Sequence, residues 1–475
     1  MNKMKYTIYA FSAAFLLLFG ACDRWLDIEP MDKMNEDKIF SSKEGFTKAI
    51  NGVYLDMVDS KLYGKACEFL ELLGQRYYVT TGHTYEKLVQ YNYTEDKVRS
   101  IISGVWSKSY AEIANCNRIL LHLEEKREML GDTDYNLLKG EALGLRALLH
   151  FDMLRLFAPA YDETDSGLYV PYYDEFLVTG KPLLKVSAFV EYLLNDLNSA
   201  ELALKSDPII SGLSGNRNLR LNYYAVKLLQ ARVYQWRGTG ASRNKAFQIA
   251  TSVIDNVAFD RVFPWVEKDM ALGNSAYASS PDRIFYSEIL FGLQNNNRPK
   301  IYEDFFQSSL SDDKILVQVK TTVDDWYSYS GDYRNAKMWM SVVKNSKDMK
   351  VLQKYEEIKD TKLTLRTVTQ SVLRRGEFYL IAADCASSDA VACEYLNELQ
   401  RARGYQNSDL TKVGSDIQSA IRAEYNREFI GEGQYFFYLK MKKVPLLDKG
   451  NGEGSFTMTD AQYVLPLPEN ETNSR

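Results

Sequence analysis

The sequence predicts a mainly α-helical protein, a scaffold of packed helix pairs that carries long irregular insertions. Three observations predict it. Apolar residues recur at helical spacing in three blocks, 42–157, 186–254 and 371–440. Helix–turn–helix pairs place small residues at their contact points, as in tetratricopeptide-like packing, although no strict 34-residue period is kept. Residues 60–95 and 257–368 lose the helical period and fill instead with Tyr, Trp, Asn, Asp and Gly.

Taken in order, the chain opens on Lys3 and Lys5, an uncharged apolar run from Ile8 to Phe19, and the small pair Gly20-Ala21 before Cys22. That is the layout of a secretory signal. The run is shorter than the ~20 residues a helix needs to cross a bilayer. Residues 1–21 are therefore expected to be a signal peptide, and Cys22 a lipid anchor that tethers residues 22–475. Phe19 stands where a lipoprotein signal usually has leucine.

In the first block Ser41 or Ser42 can cap a helix that buries Phe46, Ile50, Val53 and Tyr54. Ile102, Trp106, Tyr110, Ile113 and Leu120 keep helical spacing. From Tyr135 to Phe157 the pattern is apolar nearly all round, the mark of a helix buried on most sides, and Pro159 stops it. The second block runs through Phe189, Leu193 and Leu197, then Tyr223–Trp236 and Ala246–Ile254, with Gly238 and Gly240 making the turn. In the third, Phe378, Ile381, Ala382 and Cys385 face Ala392, Leu396, Leu399 and Ala402, and Gly404 supplies a stop. The expected scaffold spans about 41–256 and 370–440, and the loop-rich insertions span 60–95 and 257–368.

Composition narrows the function classes. Removing Lys3 and Lys5 leaves 56 basic and 63 acidic residues, net −7, which argues against nucleic acid or anionic lipid as the main partner. Cys67, Cys116, Cys385 and Cys393 form no CxxC pair, and His83, His122 and His150 are the only histidines, so no zinc spacing is present. Small buried thiols are expected, although an exported chain leaves a Cys385–Cys393 bridge open. Nucleophile-elbow, P-loop, HExxH and dinucleotide-binding motifs are all missing. Asp312-Asp313 and Asp324-Asp325 read as solvated loop acids, because adjacent residues on an extended segment point to opposite sides. No enzyme, cofactor or metal is expected.

Binding chemistry is better represented. The chain has 33 Tyr, and 13% of its residues are aromatic. Sugar rings stack apolar C–H faces on flat aromatics while their hydroxyls need amide and carboxylate partners. Two segments interleave those groups: Asp324-Asp-Trp326-Tyr327-Ser-Tyr329-Ser-Gly-Asp-Tyr333-Arg334, continuing to Trp339, and Gln75-Arg-Tyr77-Tyr78, continuing to Tyr91, Asn92 and Tyr93. Rings under long loops also serve to close a core, so either role is open for each of them.

Six motifs in order give a family resemblance. They are Cys22-Asp-Arg-Trp-Leu-Asp-Ile-Glu-Pro30, Gly140–Ala147 with Phe151–Phe157, Gly167–Pro171, Arg375–Asp384, Leu396–Gly404 and Tyr463–Pro468. Together they resemble the RagB/SusD family of nutrient-binding lipoproteins. The resemblance implies a SusD-like scaffold, a non-catalytic role, and capture of an oligosaccharide or a peptide. It also implies an outer-membrane, surface-facing location beside a SusC-like TonB-dependent transporter. One stretch departs. Glu424, Glu428, Glu432 and Gly433 match a family helix, but Tyr425, Tyr435 and Tyr438 stand where Arg, Arg and Asp are usual, which points to a divergent branch with that helix kept for architecture.

Overall fold

The computed structural model describes residues 36–177, 179–212, 215–275, 280–358 and 363–473. The signal segment and Cys22 lie outside the described residues. Helix α1 (Lys43–Met57) starts where Ser42 accepts the Gly45 amide at 3.2 Å, so Ser42 is the cap. After α2 (Ala66–Leu73) come two long helices, α3 (Asp96–Glu125) and α4 (Arg127–Phe157). They are followed by α5 (Val186–Ala203), α6 (Tyr223–Arg237) and α7 (Gly240–Ile254). Gly238, with φ 68°, ends α6, and Thr239 caps α7. From α3 to α7 each helix packs on the next. The C-terminal half of α4 is buried almost throughout, and at Gly144 a side-chain carbon would meet the Leu221 side chain, just ahead of α6, at 1.9 Å, so glycine leaves room for it.

The stack resumes with α11 (Gly376–Cys385), which lies on α7, then α12 (Asp389–Ala402), α13 (Ile417–Glu428) and α14 (Gln434–Met441). Residues 371–374 differ from the helical expectation. They belong to strand β5 (Thr369–Arg374), antiparallel to β1 (Ile289–Gln294) with Gly292 opposite Ser371. Every residue of β5 is buried, so the strand shows no polar alternation, and a buried six-residue run carries no period that separates strand from helix.

The insertion 257–368 holds short helices α8 (Arg298–Phe305), α9 (Lys320–Trp326) and α10 (Tyr333–Met338). It also holds a sheet of β2 (Val317–Val319), β3 (Trp339–Lys344) and β4 (Lys347–Leu352) in the order β2-β4-β3. Beyond α14 a hairpin of β6 (Leu446–Asp448) and β7 (Ser455–Thr457) folds back.

The motif residues turn out to be internal ion pairs. Arg146 forks onto Asp196 at 2.7 and 2.5 Å, tying α4 to α5, and Arg232 forks onto Glu377, tying α6 to α11. A larger cluster joins α10, β5, α12 and α13. In it Glu428 receives Arg334, Arg374 and Arg403, while Glu288 receives Arg403, Glu424 receives Arg334, and Glu432 receives Arg374 and Lys354. The guanidinium groups of Arg334 and Arg403 have no exposed side-chain surface. Tyr425 and Tyr438 stack at 4.0 Å beside this cluster.

Candidate binding site

Between β2, α9, α13, α14 and the β6–β7 hairpin lies a pocket of about 600 Å³, within the size range of small-molecule sites. Each wall follows from local sequence. On α13 the residues Ser419, Arg422, Ala423 and Asn426 are spaced i, i+3, i+4, i+7 and line one side. Trp326 is the last residue of α9, half-buried, and its carbonyl accepts the Arg427 guanidinium at 3.2 Å. Tyr435 comes from the first turn of α14, which Gly433, at a left-handed φ of 72°, precedes.

Arg76 forms the floor. Its guanidinium carbon is 4.6 Å from the Trp326 ring centre and 4.9 Å from that of Tyr435, a cation held between two aromatic faces. Its Nη2 donates to the Asn426 carbonyl at 2.8 Å, and its Nη1 is 3.8 Å from Glu71. Burial raises the Glu71 carboxyl against the pull of Arg76 and of the Gly433 amide, which donates to it at 2.8 Å. Gln75, at a left-handed φ of 57°, accepts the Gly450 amide at 3.2 Å and donates to the Val89 carbonyl at 2.8 Å. The hairpin thus sits directly on the 75–77 backbone. A side-chain carbon at Gly450 would lie 2.0 Å from the Tyr77 carbonyl oxygen.

Of the ten aromatic and amide candidates, this pocket takes Trp326. Tyr327, 2% exposed, donates to the Arg427 carbonyl at 3.0 Å, and Tyr333 donates to the Ala402 carbonyl at 2.7 Å. Trp339 is buried edge-on to Trp326 at 6.3 Å, and Tyr329 lies against Tyr405 at 4.6 Å. In the other segment Tyr77 is buried and donates to Glu68 at 2.9 Å, and the Tyr78 hydroxyl receives Lys347 at 3.0 Å. Tyr91 donates to the Leu73 carbonyl at 2.8 Å, Tyr93 donates to the Gln462 carbonyl, and Asn92 is exposed. These rings pack inward because a long insertion has to cover its own underside, and hydroxyl-bearing rings can do so while satisfying backbone carbonyls. Tyr91 and Gln75 still bear on the pocket, since the Gln75 amide also donates to the Tyr91 hydroxyl at 3.2 Å.

Sequence reasoning had Gln75 and Arg76 only as part of the Tyr77–Tyr93 segment and did not find Arg422, Asn426 or the hairpin. The hairpin had a signal, the run Gly450-Asn-Gly-Glu-Gly454 between Leu446-Leu447 and Phe456. A second pocket of about 460 Å³, between Tyr93, Arg99 and Pro466–Asn470, has one aromatic residue in its lining. The Trp326 pocket has two, Trp326 and Tyr435.

Elsewhere the four cysteines are separate buried thiols, and burial pushes Cys385 up to about 12. Asp324 binds Lys320 and Lys350, while Asp312 and Asp313 are exposed. Among the described residues no helix is long and apolar enough to cross a membrane.

The molecule is thus a stack of helix hairpins on a tetratricopeptide-like frame, with a pocket holding Trp326 and Tyr435 where an insertion and the hairpin meet α13 and α14. Likeness to known proteins places that fold in a family. A family model described as starch-binding and associating with the outer membrane matches residues 24–178, and the SusD family model matches residues 281–440. The chain belongs to the SusD/RagB family, and its fold is SusD-like. Similar solved structures include a SusD superfamily protein from Bacteroides thetaiotaomicron, 22% identical with a TM-score of 0.73, covering 91% of this chain and 98% of that one. A putative sugar binding protein from Bacteroides vulgatus is 22% identical with a TM-score of 0.70, covering 91% and 97%. Surface glycan-binding protein A from Bacteroides fluxus is 17% identical with a TM-score of 0.65, covering 90% and 96%. No curated protein matches the chain.

Proposed function

We propose that this chain is a surface lipoprotein, anchored through Cys22, that captures an extracellular oligosaccharide in the Trp326 pocket. It passes the ligand unaltered to a SusC-like TonB-dependent outer-membrane transporter. The observation that carries the binding step is the Trp326–Arg76–Tyr435 sandwich at a pocket edged by Thr322, Arg422 and Asn426, with the Gln75 and Gln318 amides spent on the protein behind it. An indole at the pocket wall suits a sugar ring, and the Thr322 hydroxyl, Asn426 amide and Arg422 guanidinium suit its hydroxyls. The described lining holds one carboxylate, Asp448, which accepts the Ser455 hydroxyl at 2.7 Å. Glycoside hydrolysis uses a pair of carboxyl groups flanking the bond, so capture without cleavage is the chemistry this lining supports.

A peptide ligand is the second reading, favoured by Arg422 and Lys449 at the pocket, which suit a terminal carboxylate. Titration calorimetry against oligosaccharide and peptide panels separates the two. With the bound glycan, Trp326→Ala should weaken affinity by roughly 1–3 kcal/mol, the size expected for losing an aromatic anchor. Unchanged affinity removes Trp326 from the site, and appearance of a cleaved product removes the non-catalytic role.

A further inference from the structure

We propose that the Trp326 pocket selects an anionic saccharide, one whose rings carry a uronate carboxylate or a sulfate ester. This rests on the oligosaccharide reading above and specifies its substrate class.

The chain as a whole is acidic, 63 Asp and Glu against 58 Lys and Arg. The pocket reverses that balance, because its charged lining is Arg76, Arg422 and Lys449 against Asp448 alone. Arg422 stands apart from the other arginines of this region. Arg334, Arg374, Arg403 and Arg427 all rest on carboxylates. Arg422, half-buried on the pocket face of α13, instead spends its Nε on the Tyr435 hydroxyl at 3.3 Å. Among the described residues no carboxylate lies within 4.0 Å of its guanidinium, and neither Nη has a hydrogen-bond partner. Lys449 likewise has no ion pair there, and its ammonium lies 5.2 Å from the centre of the Phe456 ring. Arg76 has only Glu71, at 3.8 Å.

Of the acids on neighbouring elements, Asp324 is held by Lys320 and Lys350 and Glu424 by Arg334 and Arg427, whereas Asp448 accepts the Ser455 hydroxyl and has no ion pair among the described residues, which leaves Arg422 and Lys449 against one unpaired carboxylate in the lining. A concave site with low-dielectric walls concentrates such a field and draws in ligands of opposite sign. A guanidinium with two free Nη groups matches a planar carboxylate or a sulfate through paired charge-assisted hydrogen bonds. A neutral sugar seated on Trp326 would strip water from the same donors and return only weaker partners, so the lining favours a charged ring.

The test uses the mature chain and a panel of uronate-bearing and sulfated oligosaccharides, each beside its carboxyl-reduced or desulfated counterpart. Affinities are measured by calorimetry at low and high salt. We expect at least one acidic member to bind roughly ten-fold or more tighter than its neutralised counterpart, with affinity falling as salt rises. We expect the Arg422→Gln/Lys449→Gln double variant to lose that preference while still folding, as circular dichroism would show. The carboxylate and sulfate arms identify which charge is read. Equal affinity for acidic and neutralised members, an unchanged preference in the double variant, or no binding to any acidic member overturns the inference. Binding to neutral glycans alone overturns it and leaves the capture function standing. Binding to peptides and to no glycan removes both.

Discussion

Replacing Glu428 by glutamine should cost the fold a large share of its stability, and the size follows from the atoms around it. The two carboxylate oxygens accept four guanidinium N–H groups. Oε1 takes Arg374 Nη1 and Arg403 Nη2, both at 2.6 Å, and Oε2 takes Arg334 Nη1 at 2.8 Å and Arg403 Nε at 2.9 Å. Glutamine keeps the shape and one acceptor oxygen but turns an NH₂ group towards the other two donors. A hydrogen bond involving a charged group contributes roughly 1.5–3 kcal/mol, so two lost bonds amount to roughly 3–6 kcal/mol. That range overlaps the ~3–5 kcal/mol seen when half of a buried ion pair is removed. Set against a typical total of roughly 5–15 kcal/mol, the variant should unfold at far lower urea. Circular dichroism during urea titration measures it, with exposed Glu163→Gln as the control that should move by less than ~0.5 kcal/mol. A loss under ~1 kcal/mol for Glu428→Gln would refute the reasoning. The pH dependence carries a sign as well. Burial alone would raise the Glu428 carboxyl, but Arg403, Arg374 and Arg334 outweigh it and hold it well below 4.5. Its contribution is present above 4.5 and lost as pH falls, and the glutamine variant should lack that acid-side decline.

Glu68 makes the opposite case. Burial first and the Glu71 carboxylate second push it up to about 8, whereas the unfolded chain ionises it near 4.5. The unfolded chain binds fewer protons between those values, so this group's contribution is full below 4.5 and is lost as pH rises through about 8. Glu68→Gln should flatten that decline by up to a few kcal/mol, and parallel melting-temperature profiles for parent and variant would count against it. Gly450→Ala should lift the hairpin from the Tyr77 carbonyl and lower ligand affinity while leaving the urea midpoint close to the parent's, because Leu447 is the hairpin's one buried side chain. Unaltered affinity would separate the hairpin from the site. Cys22→Ala should move the protein from the membrane pellet to the soluble fraction, and persistence in the pellet would defeat the lipid anchor.

Much of the frame was legible because helical spacing survives burial. Ser42, Gly238 and Pro159 mark helix ends where the sequence places them, and Ile113 and Leu154 lie in the core. Strand β5 was not legible, since burial on both faces erases alternation. The buried charge cluster was hidden for a different reason. Arg334, Glu424 and Glu428 look like solvent-facing residues in sequence, and only long-range pairing across some 90 positions makes them interior. Trp326 stood out among acids and glycine as a loop residue, whereas it closes helix α9 at the pocket wall. Arg422 was not legible, because a lone arginine on a helix shows its role only once its neighbours are known.

The hairpin of residues 446–457 has a consequence for how such proteins diversify. The family model match that covers α11 to α14 ends at residue 440, before the hairpin begins. One wall of the pocket therefore lies outside that match, seated on the 75–77 backbone and separate from the Glu428 charge cluster, while Trp326, Arg422, Asn426 and Tyr435 lie within it. An exchange of Lys449 for a neutral or acidic side chain would therefore reset the charge of the pocket from a dozen-residue flap, with the ion pairs that tie the frame together left in place.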